Sequence, residues 1–311
     1  MELIRGWHNL RAERQACAVT IGNFDGVHIG HQQLLKNLQQ QARVLHLPTT
    51  VITFEPQPNE YFAHERIPPR LMRLREKLQV FAECGIDRVL CLRFNQSLSA
   101  MNAEDFVRQI LFQGLATRYV LVGDDFHFGH CRAGDFALLK QLGTQLGFQV
   151  EQMHPITLAG ERVSSSHIRR LLMNGDLQQA EQLLGRPYSL SGRVAYGDKR
   201  GRIMGFPTAN IYLHRKAVPI NGVYVVKMYG IRSQPLQGVA NVGTRPTFDG
   251  TRSLLEVHLF DFDEIIYGRH VQVEFIHKLR DEQRYPSFEL LKQQIFRDAE
   301  QARKFFLTPY R

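Results

Sequence analysis

The sequence predicts an α/β unit built on a doubly wound parallel sheet, followed by a mainly β unit that ends in one helix. Three observations carry this. In the first half, short apolar runs alternate with helical stretches, the rhythm of a sheet wound by crossover helices. Near Gly185-Arg186-Pro187 that rhythm gives way to consecutive strand-like runs separated by Gly, Asn and Asp turns. Charge divides at the same place. Residues 1–185 hold 19 Lys and Arg against 18 Asp and Glu, residues 186–311 hold 20 against 12, and the net charge is +9. Such asymmetry means two domains with different partners, or a basic half that attracts an anion, whether nucleic acid or a small polyphosphate.

Along the first half, strand-like runs at residues 18–21, 50–54, 88–93, 119–122 and 148–151 are separated by helical stretches at 33–42, 74–83, 103–111 and 134–146. Ligands of such sheets bind beyond the carboxyl ends of the strands, and residues 22–31 and 123–129 both fall there. A helical region follows over 165–184. In the second half, runs at 188–195, 222–229, 254–260 and 271–276 read as an antiparallel barrel or sandwich. In the closing helix Leu291, Ile295, Ala299, Ala302 and Phe306 share one face at steps of three and four, which suits packing against the β unit.

At 311 residues the chain is long enough for two domains with separate cores, and 43% apolar with 22% charged content suits a soluble globular protein. No apolar run approaches the ~18 residues of a membrane span. Glu2, Arg5, Arg11, Glu13 and Arg14 interrupt the N-terminus, so it does not read as a secretory signal. The four cysteines, Cys17, Cys84, Cys91 and Cys131, form no Cys-x-x-Cys pair and read as reduced cytosolic thiols, mostly small core residues. The location expected is the cytoplasm, with no membrane partner.

The most informative stretch is Gly22-Asn23-Phe24-Asp25-Gly26-Val27-His28-Ile29-Gly30-His31, between a strand and a helix. Glycines let the backbone come close, the helix N-terminus offers free N–H groups, and two imidazoles supply movable donors, all suited to a nucleotide phosphate chain. Ser164-Ser165-Ser166-His167-Ile168-Arg169 reads either as a second phosphate grip or as a serine cap with a solvated arginine. Gly123-Asp124-Asp125-Phe126-His127-Phe128-Gly129 joins acids and aromatics that suit a planar ring with a ribose or base, or a solvated loop. In the basic half, Gly197-Asp198-Lys199-Arg200-Gly201-Arg202-Ile203-Met204-Gly205 is a glycine-punctuated loop that is no Walker A motif and also fits a hairpin tip. Thr208 and Asn210 offer hard oxygen ligands, yet alone they read as turn residues. Strand alternation puts Glu256 opposite Leu255 and Val257, facing solvent or a cavity.

His28-Ile29-Gly30-His31 spells a signature shared by class I aminoacyl-tRNA synthetases and small nucleotidyltransferases. Taken with Gly-Asp-Asp-Phe-x-Phe-Gly at 123–129 and Ser-Ser-x-x-Ile-Arg at 164–169, it resembles the N-terminal module of prokaryotic bifunctional riboflavin kinase/FAD synthetases. Gly205-Phe206-Pro207-Thr208-Ala209-Asn210, Asn221-Gly222-Val223-Tyr224, Asn241-Val242-Gly243-Thr244-Arg245-Pro246-Thr247 and Leu255-Glu256-Val257-His258 resemble that family's flavokinase module. The resemblance covers essentially the whole chain. It departs at His127, where many members carry arginine.

The resemblance implies a doubly wound nucleotidyltransferase domain over 1–185, and over 186–311 an antiparallel β-barrel flavokinase domain with a terminal helix. It implies that the first domain adenylylates FMN to FAD. Gly22, Asn23, Phe24, Asp25, His28, His31, Ser164, Ser165 and Arg169 would bind ATP there, with Asp125, Phe126 and Phe128 at the flavin or nucleotide. It implies that the second phosphorylates riboflavin, with Gly197, Lys199, Gly201, Gly205, Thr208 and Asn210 on ATP. Thr208 and Asn210 would then meet Mg²⁺, and Glu256 would be the base for the flavin 5′-hydroxyl. The substrates expected are riboflavin, FMN and ATP, with no nucleic acid. Two alternatives are a short synthetase-like enzyme acting on tRNA, which lacks its lysine-rich loop here, and a non-catalytic flavin- or RNA-binding regulator.

Overall fold

A computed structural model of the chain describes residues 1–10, 15–63, 67–196, 205–215, 217–247 and 250–307. It divides into two compact units, Met1–Pro68 with Met72–Ser164, and Pro69–Leu71 with Ser165–Arg311.

In the first unit β1 (Glu2–Arg5), β2 (Cys17–Ile21), β3 (Thr49–Glu55), β4 (Arg88–Arg93), β5 (Thr117–Gly123) and β6 (Gln149–Met153) form one sheet in the order β1-β4-β3-β2-β5-β6. Every neighbouring pair is parallel. The central strands β2 to β5 are largely buried on both faces because their apolar side chains alternate between two cores. Val19, Ile52, Leu90 and Val120 enter one core, while Ala18, Val51, Val89, Tyr119 and Leu121 enter the other. Helix α1 (Ile29–Val44) closes the second core with Leu34, Leu35, Leu38 and Ala42. Between β3 and β4 lie α2 (Pro58–Phe62) and α3 (Leu74–Glu83). Between β4 and β5 come α4 (Gln96–Ser99) and α5 (Ala103–Asp105), the latter continued by π-helical turns over Phe106–Gly114. Helix α6 (Phe136–Leu146) covers the first core, and a hairpin of β7 (Thr157–Leu158) and β8 (Glu161–Arg162) ends the unit.

The chain leaves β2 toward β3 and β4 on one side, then returns across to β5 and β6 on the other. The switch point therefore lies at β2 and β5, where a crevice opens beyond the carboxyl ends. Residues 22–31 and 123–129 follow those two strands. The sequence reading missed β1, whose four residues pair with β4 at the edge of the sheet.

The second unit opens with α7 (Ser165–Asn174) and α8 (Leu177–Leu184), two helices separated at Gly175 rather than one. Then β9 (Ser189–Ala195), β10 (Ala209–Tyr212), β11 (Gly222–Tyr229), β12 (Leu236–Thr247), β13 (Gly250–Leu259) and β14 (His270–Arg280) close into a barrel in the order β10-β13-β12-β11-β14-β9. This resolves the barrel-or-sandwich ambiguity, and all of its pairs are antiparallel. Helix α9 (Phe288–Leu307) lies on the outer face, with Ile295, Ala299, Ala302 and Phe306 packed against Phe206, Val223, Val225, Val239 and Phe260. Arg303 fastens that helix through both Asp261 oxygens, at 2.9 Å each, with its guanidinium 4.4 Å from the Phe260 ring centre. The reading of the cysteines as core thiols holds for Cys17 and Cys91, whereas Cys131 is exposed.

Candidate active sites

The loop from β2 into α1 holds three successive backbone contortions. Phe24, Gly26 and Val27 all have positive φ, at 48°, 83° and 39°. A β-branched residue there is an outlier, and such strain persists only where the surroundings over-determine it. They do. Phe24 is buried with its ring edge-on to Phe81 at 5.4 Å, and the Asp25 carboxylate accepts from the Met72 N–H at 3.1 Å. Lys77, fully buried on α3, donates to the Asn23 carbonyl at 2.8 Å.

The bent loop delivers His28 as the N-cap of α1, where its Nδ1 accepts from the His31 N–H at 3.3 Å. One turn on, the His31 ring stacks on His28, centres 3.6 Å apart and 17° from parallel. A Cβ on Gly30 would lie 3.2 Å from the His28 ring, so this position suits a residue without one. Burial is the main cause holding His31 well below its ordinary value near 6.5, with His28 and Lys77 adding to it. His31 is therefore neutral at neutral pH, when one ring nitrogen donates and the other accepts. Its Nδ1 is buried and has no hydrogen-bond partner among the described residues, and neither has the Asn23 Oδ1. Unpartnered buried polar atoms cost free energy. Beyond the carboxyl ends of β2 and β5 such atoms are available to a ligand's own polar groups.

Elsewhere on this unit, Arg162 donates to Asp124 Oδ1 at 2.7 Å and reaches Asp125 Oδ2 at 3.5 Å, though the Asp125 side chain is otherwise exposed. Phe128 is buried, and the half-buried Phe126 stacks on it at 5.3 Å. Both rings pack against the first core, so any ligand contact falls to what Phe126 leaves open. The sequence reading did not anticipate the aromatic group beyond β3 and β4, where Tyr61 and Phe62 pack against Phe94 at 5.4 and 5.6 Å. Both α2 rings remain partly exposed. Gln57, just before that helix, is buried with an unpartnered Nε2. Only the three-dimensional fold brings these groups to one edge of the sheet. Ser164 closes the first unit. Ser165 and Arg169 stand on α7 in the second, where Arg169 Nε donates to the Pro69 carbonyl at 2.8 Å.

In the barrel, strand register sets the site. Asn210 of β10 pairs directly with Glu256 of β13, and Glu256 pairs on its other side with Asn241 of β12. Leu255, Val257, Ile211, Ala240 and Val242 are buried while Asn210, Glu256 and Asn241 are half-buried. By alternation those three polar side chains project from the outer face of the barrel. Isolated motif reading left Asn210 in a turn. It is a strand residue, and Thr208 lies just before the strand. Phe206 anchors this segment, its ring edge-on to Phe296 of α9 at 4.5 Å. His258, one outward position along from Glu256, donates from Nδ1 to the Pro207 carbonyl at 2.9 Å. Burial chiefly lowers its pKa, so it too is neutral at neutral pH. Gly205 has positive φ at 81° just before Phe206. Gly197, Lys199 and Gly201 lie outside the described residues. Tyr224 of the Asn-Gly-Val-Tyr motif is a barrel core residue, its hydroxyl donating to the Asn221 carbonyl and pushed up to about 12 by burial. Among the described residues no group of three or more His, Cys, Asp and Glu is placed to hold a metal ion.

Family comparison agrees with this division of chemistry. A family model described as FAD synthetase matches residues 10–167, and one described as riboflavin kinase matches residues 184–306. The bifunctional riboflavin kinase/FMN adenylyltransferase of Escherichia coli strain K12 is 50% identical over 307 residues, covering 98% of each chain. Its Haemophilus influenzae counterpart is 49% identical over 306 residues, covering 98% of this chain and 99% of its own. The Pseudomonas fluorescens protein of the same name is 49% identical over 304 residues, 97% of each. A crystal structure from Streptococcus pneumoniae, described as a macrolide-efflux protein, matches with a TM-score of 0.83 at 29% identity, over 97% of this chain and 99% of that one. Among the described residues no helix is long and apolar enough to cross a membrane.

Proposed function

The chain belongs to the family of bifunctional riboflavin kinase/FMN adenylyltransferases, and from that premise we propose the following division of labour for its residues. Residues 1–185 transfer an adenylyl group from ATP to FMN, giving FAD and pyrophosphate. Residues 186–311 transfer the γ-phosphoryl group of ATP to riboflavin, giving FMN and ADP. Both halves match flavin-enzyme families, which replaces the tRNA-synthetase-like alternative. The basic balance of the second half then answers to ATP and to the FMN anion.

In the adenylyltransferase, an FMN phosphate oxygen attacks the α-phosphorus of ATP and the bond to the β-phosphate bridging oxygen breaks. Catalysis consists of alignment and of donors aimed where charge accumulates on the leaving oxygens. His28 and His31 supply those donors, beside the N–H groups at the start of α1. Gly22 lets the backbone come near, Asn23 offers its orphaned Oδ1, and Phe24 and Asp25 hold the loop in its strained shape. Ser164, Ser165 and Arg169 are assigned to the same ATP by their motif. Asp125 and Phe126 line the flavin side, with Phe128 behind them, and the exposed rings of Tyr61 and Phe62 offer the tricyclic ring a stacking surface.

In the kinase, Glu256 takes the proton of the riboflavin 5′-hydroxyl as that oxygen attacks the γ-phosphorus and ADP leaves. The hydroxyl of Thr208 and amide oxygen of Asn210, hard and half-buried donors, would hold an Mg²⁺ brought with ATP, which would offset phosphate charge. Gly197, Lys199, Gly201 and Gly205 are assigned to the ATP phosphates by their motif. One observation supports the reading: each half of one chain brings its motif's polar groups together, His28 stacked on His31 in one and Asn210 paired across strands with Glu256 in the other. Incubation with riboflavin, ATP and Mg²⁺, followed by chromatography, tests it. FMN should rise first and FAD follow. Absence of FMN from riboflavin, or of FAD from added FMN, overturns the corresponding half.

A further inference from the structure

Among the described residues, Lys77 is the charged side chain that the fold buries most completely. Lysine is almost never fully buried unless it is paired, because taking an ammonium out of water is costly even when its hydrogen bonds are made. Its Nζ donates to the Asn23 carbonyl at 2.8 Å, and the Thr53 hydroxyl lies 3.5 Å from the same oxygen. Anchoring one loop carbonyl needs only a neutral donor. The anchor therefore does not by itself account for a buried cation.

Its place in the fold does. Four residues along the same face of α3, Phe81 packs edge-on against Phe24 at 5.4 Å, so Lys77 and Phe81 hold two successive residues of the loop between β2 and α1. Phe24 passes the constraint on, its ring 5.0 Å from the ring of His31. The charge of Lys77 also reaches that imidazole, where it adds to burial and to His28 in disfavouring the protonated form. A field that repels a proton at His31 attracts an anion at the same place. The N-terminus of α1 offers such an anion a partial positive charge, and Lys77 adds a whole one from behind the loop, where burial leaves it little screened.

We propose that Lys77 is a positioning residue of the adenylyl site, acting through the Asn23 carbonyl and through its buried charge to fit the loop between β2 and α1 for a polyphosphate. The polyphosphate is that of ATP before transfer and the departing pyrophosphate after it, so the proposal rests on the reading of residues 1–185 as the adenylyl-transfer domain. The role needs no contact between Lys77 and substrate. It makes the loop selective for ligand charge, which packing alone does not. Asp25, the buried carboxylate of the same loop, accepts from the Met72 N–H and is unaltered in every variant of Lys77.

FAD synthesis from FMN and ATP is to be measured in the full chain for Lys77→Met, Lys77→Gln and Lys77→Arg, with inhibition by pyrophosphate and by adenosine, and with thermal melting of each. Lys77→Met should raise KM for ATP and the inhibition constant of pyrophosphate about tenfold, while that of uncharged adenosine stays within about twofold. Lys77→Gln keeps a donor without the charge and should resemble the methionine variant. Lys77→Arg keeps the charge and should restore pyrophosphate inhibition to within about threefold of wild type. Equal weakening of adenosine and pyrophosphate overturns the proposal, since it marks a purely structural support, as does failure of both neutral variants to fold. A glutamine variant with wild-type pyrophosphate inhibition overturns it as well, because a neutral donor then suffices. Wild-type chain that makes no FAD from FMN overturns the adenylyl reading and the proposal with it. Wild-type FAD synthesis alongside unaltered constants in the methionine variant overturns the proposal alone.

Discussion

The candidate adenylyl site and the candidate kinase site are held in place by opposite means. On the sheet, the backbone itself is bent: Phe24 and Val27 sit at positive φ so that His28 can cap α1 and stack on His31. The supports are buried, Lys77 and Asp25 among them, and polar atoms of Asn23 and His31 have no hydrogen-bond partner among the described residues. On the barrel, by contrast, Asn210, Glu256 and Asn241 line up because strands pair in register, with no contortion at any of the three. The first arrangement holds bent backbone and buried polar atoms that the described protein groups leave unsatisfied. The second depends on side-chain chemistry alone. Substitutions should therefore act on one activity at a time, through desolvation and strain in the sheet and through loss of a functional group in the barrel.

The barrel side gives the largest expected effect. Glu256→Gln keeps the size and reach of the side chain but cannot accept the hydroxyl proton, a loss of ~10²–10⁴ in turnover for a general base. FAD formation from added FMN should persist at the wild-type rate. Steady-state assays with riboflavin and with FMN separate the outcomes, and a kinase rate within a few-fold of wild type breaks the contrast.

Next comes the sheet. His28→Ala or His31→Ala should cut FAD synthesis by ~10²–10³, the usual consequence of removing one preorganised donor from developing charge. FMN formation should stay near wild type. Equal loss of both activities in the same assays would mean the two sites are not separate.

These residues differ in how far the sequence reveals them. Strands β2 to β5 are legible within a few residues because apolar runs buried on both faces leave a simple pattern. Strand β12 is not, since Gly238, Asn241, Gly243 and Pro246 lie inside it and all read as turn formers. Strand β10 begins two residues after Pro207 and has only four residues, so Asn210 looked like loop. Of the candidate site residues, His28, His31 and Glu256 could be named from the sequence because their motifs are local. Lys77, Gln57, Tyr61 and Asn241 are not, because each meets its neighbours only through strand order and helix packing. A half-buried asparagine inside a β run was the signal available for Asn241, and it needed the register to give it meaning.

A smaller effect concerns pH. The folded pKa of His31 lies below the unfolded value near 6.5, mainly through burial. Below that value the unfolded chain binds a proton that the folded chain refuses, so stability falls as pH drops through and below 6.5. Above it both states are neutral and the contribution is constant. His31→Gln should therefore flatten the stability slope on the acid side of 6.5, measured by denaturant unfolding of the full chain at several pH values. The sheet unit's transition is the one that should respond. An unchanged slope would show that His31 titrates alike in both states.

The smallest expected effect is the most diagnostic of bent backbone as the device. Gly30→Ala adds one methyl group near the start of α1, where helix propensity alone would favour alanine by up to about 1 kcal/mol. The new Cβ would stand 3.2 Å from Cε1 and Nδ1 of the His28 ring, so the ring must yield by a few tenths of an ångström. That shift acts on the 3.3 Å bond from the His31 N–H and on the 3.6 Å stack, the two contacts that set both imidazoles. Small misplacements of catalytic donors are costly, ~10²-fold for about 1 Å, so a few-fold to about tenfold loss of FAD synthesis is expected here. Thermal stability should hold or rise slightly, and kinase turnover should not change. A variant that melts at wild-type temperature yet makes FAD at the full rate would mean that the imidazoles tolerate movement. The sheet site would then depend on side-chain identity alone, as the barrel site does.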